Sequence, residues 1–126
     1  MTIHLDTNFL VGISAAGEAE DRALTAWLQQ GALVRTSAIC WSEYLCGPLQ
    51  TQELEAVRAI VGAPLPFTEL DAELAARLYN LGGRRRGSLA DCQIAAAAMR
   101  SGAWLATGNP ADFARFATAG LVLAPS

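Results

Sequence analysis

At 126 residues and 13.3 kDa, the chain has room for one domain, residues 1–126, with a sizeable core. Apolar residues make up 52% and charged residues 17%, which excludes a disordered chain. No apolar run is long enough to span a membrane, no basic region followed by an apolar stretch opens the chain, and a net charge of −3 with pI near 5.0 argues against coating nucleic acid through bulk charge.

Short strand-like runs alternate with helical patterns. Thr2–Leu5 reads as a buried strand ending at Asp6, followed by helices over about Thr7–Ser14 and Ala19–Gln30, the second closed by Gly31. Leu33–Thr36 is the next strand, and Ser37 caps a helix to about Cys46 that Gly47-Pro48 stops. Thr51–Val61 is helical, Leu65–Phe67 is a brief extended piece interrupted by Pro66, and Leu70–Leu81 is a helix ending at Gly82-Gly83. Ser88 caps a helix to about Ser101. Ala103–Ala106 is a strand, Pro110–Phe116 a short helix, and Leu121–Leu123 a last strand. Strands alternating with helices predict parallel βαβ units, hence a three-layer α/β domain whose site lies at the carboxyl ends of the strands. Asp6 and the Thr107–Asp112 segment both fall there.

Cys40, Cys46 and Cys92 are odd in number and form no CxxC pair. Reduced thiols in a cytosolic core are the expectation.

Three acidic residues sit in apolar segments: Asp6 in IHLDTNFLV, Glu43 in SAICWSEYLCG and Asp91 in SLADCQIAAAAM. A desolvated carboxylate without a partner costs several kcal/mol, and the chain has no lysine, one histidine and nine arginines, none within a helical turn of these acids. A hard divalent cation is the simplest partner. Each acid also has a local explanation. Asp6 can cap the helix that follows it. Ser88-Leu89-Ala90-Asp91 has the spacing of a capping box, and Asn109-Pro110-Ala111-Asp112 repeats the device with proline at the first helical position. Glu43 is harder to explain locally, because its neighbours three and four residues away are Ile39, Cys40, Cys46 and Gly47, and either a metal ion or an arginine from elsewhere in the chain would account for it. The run Arg84-Arg85-Arg86, between glycines, reads as a solvated loop or a phosphate contact just ahead of the Asp91 segment.

The segments LDTNFLV, SEYLCG, RRRGSLADCQIAAAA and ATGNPADFARF, in this order and at these spacings, resemble the PIN-domain ribonucleases, and most closely the VapC-type toxins of bacterial toxin–antitoxin pairs. The resemblance covers nearly the whole chain. It implies an α/β/α sandwich around a parallel sheet of four or five strands, and an endoribonuclease whose acids hold Mg²⁺ or Mn²⁺. By position, Asp6, Glu43 and Asp91 match the family's three most characteristic acids. The fourth position falls on Asn109, which is neutral, and Asp112 three residues on is ranked ahead of it as the acidic member. Asn8 and Thr107 match polar positions that orient the acids. The resemblance further implies an RNA substrate, a cognate antitoxin, a homodimer and a cytoplasmic setting.

The residues favour metal-assisted hydrolysis independently. Cleavage through the RNA 2′-hydroxyl needs two acid–base groups such as a histidine pair, and His4 is the single histidine, expected in the core or on a strand face. Receiver domains and haloacid-dehalogenase-like phosphatases also gather aspartates at strand ends, but both depend on a lysine, with arginine an occasional substitute in the phosphatases. A non-catalytic binding module on the same fold is the remaining alternative, and it predicts no response to Mg²⁺.

Overall fold

The computed structural model describes residues 1–125. Three parallel strands, β1 (Thr2–Leu5), β2 (Leu33–Arg35) and β3 (Trp104–Ala106), form one sheet in the order β2-β1-β3. The helices are α1 (Thr7–Ser14), α2 (Glu18–Gln29), α3 (Ala38–Leu45), α4 (Thr51–Val61), α5 (Glu69–Leu81), α6 (Leu89–Arg100) and α7 (Pro110–Phe113). The expected α/β architecture is present.

The sheet has fewer strands than the four or five expected. Leu65 and Leu123 stand where outer strands were predicted, but each makes only an isolated parallel bridge, to Ser37 and to Leu105. Pro66 follows Leu65 directly and has no N–H to extend the ladder. On the other edge, pairing is limited to Leu105 N–H donating to Val122 O and Ala124 N–H to Leu105 O, and Pro125 follows. The predicted helix over Pro110–Phe116 is likewise split. After α7 the chain tightens into a 3₁₀ segment over Ala114–Ala119, which Gly120 ends at φ 114°.

β1 is buried on both faces: Ile3 and Leu5 are fully buried and His4 nearly so. A central parallel strand covered by helices on either side accounts for that pattern. α6 reaches the interior through Ala95, Ala96, Ala97 and Ala98, all buried. Their small side chains let its backbone approach its neighbours, and α5, α3 and β3 pack against it. Trp27 stacks on Phe9 with ring centroids 5.4 Å apart, and Tyr44 is buried beside Trp41. Trp41 and Leu49 are half-buried. Cys40 and Cys92 are buried free thiols, whereas Cys46 is exposed and so departs from the core position expected for all three. No helix among the described residues is long and apolar enough to cross a membrane.

His4 belongs to this core, as the sequence indicated. Its Nε2 is buried without a hydrogen-bond partner. Burial first, and then the Arg35 charge, depress its pKa from 6.5 to about 4. The folded state therefore keeps His4 neutral where the unfolded chain has already taken up a proton. Above pH 6.5 neither state is protonated there and nothing changes. Between pH 6.5 and about 4 the fold loses stability as the pH falls, by about 3 kcal/mol for this group alone. Denaturant titrations of wild type and His4→Leu across that window check this: the wild-type curve should be the steeper in pH.

Candidate active site

The site is assembled where the sheet changes direction. From β1 the chain runs to β2 on one side, then crosses to β3 on the other, so the carboxyl ends of β1 and β3 flank a topological switch point. The two ends are joined by Asp6 N–H donating to Ala106 O at 2.9 Å. A cavity of about 330 Å³ opens there, lined by Asp6, Thr7, Asn8, Glu43, Asp91, Asn109 and Asp112 together with Val11, Ile94 and Phe113.

Each acid arrives on a separate element. Asp6 is the N-cap of α1. Its Oδ1 accepts from Thr7 N–H at 2.7 Å and lies 3.7 Å from the Cys40 thiol, while its Oδ2 accepts from the Thr107 hydroxyl at 2.7 Å. The local capping role is real for Asp6, but the Thr107 bond comes from the far end of the sequence. Glu43 rides on α3, which Ser37 caps by accepting Cys40 N–H. Its Oε1 accepts from the Thr7 hydroxyl at 3.0 Å. Glu43 is exposed rather than buried among apolar neighbours, so its surroundings are the cavity and solvent, contrary to what its sequence context suggests.

Asp91 enters from the first turn of α6 and Asp112 from α7. The capping explanations for this pair do not hold. Ser88 makes no side-chain cap bond; its hydroxyl donates back to Arg85 O at 2.6 Å. Asn109 makes none either, although Pro110 does occupy the first turn of α7. The Asp91 carboxyl is pushed above the usual carboxylate range, first by burial and then by the Asp112 charge, against a smaller opposing influence of Arg115.

Residues around the acids fix them in place. Thr107 bonds Asp6 and accepts Asn109 N–H at 3.0 Å. Asn8 Oδ1 accepts Gly108 N–H at 3.3 Å, and a Cβ on Gly108 would sit 3.5 Å from the Asn8 amide carbon. Asn8 and Thr107 thus tie the loop after β3 to the start of α1. The Arg84-Arg85-Arg86 run is exposed and none of the three lines the cavity. Arg84 takes a positive φ of 57° at the end of α5 and spends its Nε–H on Asn80 Oδ1 at 3.1 Å. Thr7, which serves two acids, and Arg115, whose Nη2 lies 3.9 Å from Asp91 Oδ2, were not singled out from the sequence. The Thr7 bond to Glu43 and the Arg115 approach to Asp91 each join separate elements and leave no local signal.

Among the described residues no arginine is within ion-pair distance of Asp6, Glu43 or Asp112. The cavity is therefore a concentration of hard oxygen donors with a deficit of positive charge, which is the donor chemistry that suits Mg²⁺ or Mn²⁺. No three His, Cys, Asp or Glu side chains among the described residues are close enough together to chelate one ion directly. A separate cavity of about 300 Å³, between α1, α2 and the Ala106–Pro110 segment, is mostly apolar and carries Glu20 as its one charged lining residue. It lacks the groups for hydrolysis.

The family model of the PIN domain matches residues 3–119. The chain belongs to the PIN-domain family. As a fold, this PIN domain is similar to VapBC2 from Rickettsia felis bound to a DNA fragment from its promoter, with TM-score 0.79, 20% identity and 98% of each chain covered. It is similar to a toxin–antitoxin complex from Klebsiella pneumoniae, with TM-score 0.72, 24% identity and 90% and 91% of the two chains covered. It also resembles FitAcB from Neisseria gonorrhoeae, with TM-score 0.66, 26% identity and 99% and 98% covered. No curated protein matches the chain significantly.

Proposed function

We propose that this PIN domain is a Mg²⁺- or Mn²⁺-dependent endoribonuclease and the toxin of a toxin–antitoxin pair. The observation that carries the reading is the convergence of Asp6, Glu43, Asp91 and Asp112, from four different elements, on one cavity at the switch point of the sheet.

Asp6, Glu43, Asp91 and Asp112 would hold the ion, with Asn109 able to contribute its amide oxygen. Because the four carboxylates line one cavity without any three of them being close enough to chelate an ion directly, part of the coordination would fall to water, as Mg²⁺ commonly prefers. When bound, the ion supplies charge to the scissile phosphate and lowers the pKa of an attacking water. The chain's own contribution is placement. Thr7 N–H and the Cys40 thiol donate to Asp6 Oδ1 and the Thr107 hydroxyl donates to Oδ2, which holds the carboxylate in place at the edge of the cavity and leaves Oδ2 with capacity for a further ligand. The Thr7 hydroxyl engages Glu43 Oε1 and leaves Oε2 free of protein donors. Hydrolysis by water in this arrangement leaves a 5′-phosphate and a 3′-hydroxyl.

The toxin assignment is supported by structural relatives that are themselves toxin–antitoxin complexes. It carries with it a cognate antitoxin, a homodimer of PIN domains and a cytoplasmic setting. Cleavage of a structured RNA pool in Mg²⁺, Mn²⁺ or EDTA tests the reading. Cutting is expected in either metal, with 5′-phosphate ends, and none in EDTA. A folded protein that neither cuts nor gains thermal stability from divalent metal would instead be a binding module on the same fold.

A further inference from the structure

We propose that Arg115 takes the place of a second divalent ion on the Asp91–Asp112 side of the cleft, so that the chain binds a single ion. The inference rests on the reading of the cleft as a metal site and adds to it the stoichiometry and the residue that sets it.

The four carboxylates fall into two halves. Thr7 joins Asp6 and Glu43, donating its N–H to one and its hydroxyl to the other at 2.7 and 3.0 Å. Among the described residues the Asp91 and Asp112 carboxylates accept no hydrogen bond from the protein, and the one cation within ion-pair distance of Asp91 is Arg115. Its Nη2 lies 3.9 Å from Asp91 Oδ2, too far for a hydrogen bond, and this nitrogen is buried with no other partner. A buried guanidinium N–H without an acceptor is costly, so the carboxylate beside it is the group it is placed to serve.

The guanidinium is also fixed. Its carbon sits 4.4 Å from the centre of the Phe116 ring, an arrangement that favours a cation over the ring face. Phe116 is buried and packs on Phe113, with ring centroids 6.1 Å apart. A permanent positive charge thus stands against the carboxylate that a second ion would need, and the repulsion between them disfavours that ion. Asn109, a neutral residue lining the same cavity, adds no negative charge that could offset it. The Asp6–Glu43 half carries no such cation.

Counting Mn²⁺ per chain by equilibrium titration with electron paramagnetic resonance, backed by native mass spectrometry, tests this. Wild type and Arg115→Lys are expected to hold one ion at saturation. Arg115→Met and Arg115→Gln are expected to hold two, the second lost again when Asp91→Asn is added. Two ions in the wild type, or one in all folded variants, would overturn the assignment while leaving the metal-dependent reading intact. No ion in the wild type would overturn both. If Arg115→Met does not fold, the wild-type count and the Arg115→Gln count still decide.

Discussion

Asp6→Asn is expected to lower metal-dependent RNA cleavage by about a thousandfold while leaving the fold at least as stable as wild type. The substitution keeps the shape of the side chain and an oxygen to accept Thr7 N–H, so the cap on α1 survives. What it removes is the charge, together with the oxygen that accepts the Thr107 hydroxyl, which becomes an amide NH₂. Asp6 is 5% exposed and has no arginine within ion-pair distance. In the protein alone this charge stands uncompensated in a cleft shared with three other carboxylates, and removing it relieves repulsion. With metal and RNA the same charge helps hold the ion that stabilises the developing oxyanion, where losing one preorganised interaction costs about 10²–10³-fold. Single-turnover cleavage in Mn²⁺ and a thermal melt of the same preparation separate the two effects. Thr107→Val, which removes the hydroxyl that holds Asp6 Oδ2 and accepts Asn109 N–H but leaves every carboxylate in place, should give a smaller loss of about 10–100-fold. Asp6→Asn retaining activity within about tenfold of wild type would place catalysis elsewhere.

Asp71→Ala is expected to do the reverse, costing about 2–3 kcal/mol of stability without affecting cleavage per folded molecule. Asp71 is as buried as Asp6, at 6% exposure, but it is fully engaged in structure. Its Oδ2 accepts Thr68 N–H at 2.9 Å, its own N–H donates to Thr68 Oγ1 at 3.2 Å, and its Oδ1 takes Arg100 Nε–H at 3.0 Å. The first two bonds form the capping box of α5 and the third ties α5 to α6. Losing the acceptor for Thr68 N–H, with the Thr68 bond to the backbone of residue 71 retained, contributes about 1 kcal/mol. The remainder comes from unpairing Arg100, whose side chain is 39% exposed, so that solvent screens part of the ion pair. Urea unfolding measures the stability, and cleavage normalised to folded protein measures the activity. A tenfold loss of normalised activity would show that the orientation of α6, and with it Asp91, depends on this link. The contrast between Asp6 and Asp71 shows that burial alone does not mark a catalytic carboxylate; what separates them is that Asp71 has a cation, Arg100, as its partner, whereas Asp6 has only neutral donors and lines the acidic cavity.

Much of the fold was legible along the chain because its signals are local. The strand ending at Asp6, the Ser37 cap, the stop at Gly47-Pro48 and the helix end at Gly82-Gly83 each depend on a few adjacent residues, and the elements begin and end within a residue or two of those signals. Asp6, Glu43 and Asp91 stand out by their apolar settings in the sequence, and the resemblance to the PIN-domain family adds Asp112, with Asn109 beside it. The outer strands were overcounted, since a short apolar run beside a proline gives no indication of whether its neighbour offers more than one pairing.

What the sequence by itself determined is therefore where the elements lie and which acids belong together. The tertiary structure alone decided how those acids are held. Thr107 meets Asp6 across 101 residues and Thr7 meets Glu43 across 36, while Arg115 on the segment after α7 reaches Asp91 on α6. Tertiary packing also left Ser88 and Asn109 without the caps their spacing predicts and turned Glu43 outward to the cavity. The physical reason is that a cap or a helical period is fixed by neighbours a few residues away, whereas the partner of a side chain at a strand end is fixed by the order in which strands pair and by the segments that crossover connections bring to the same end of the sheet.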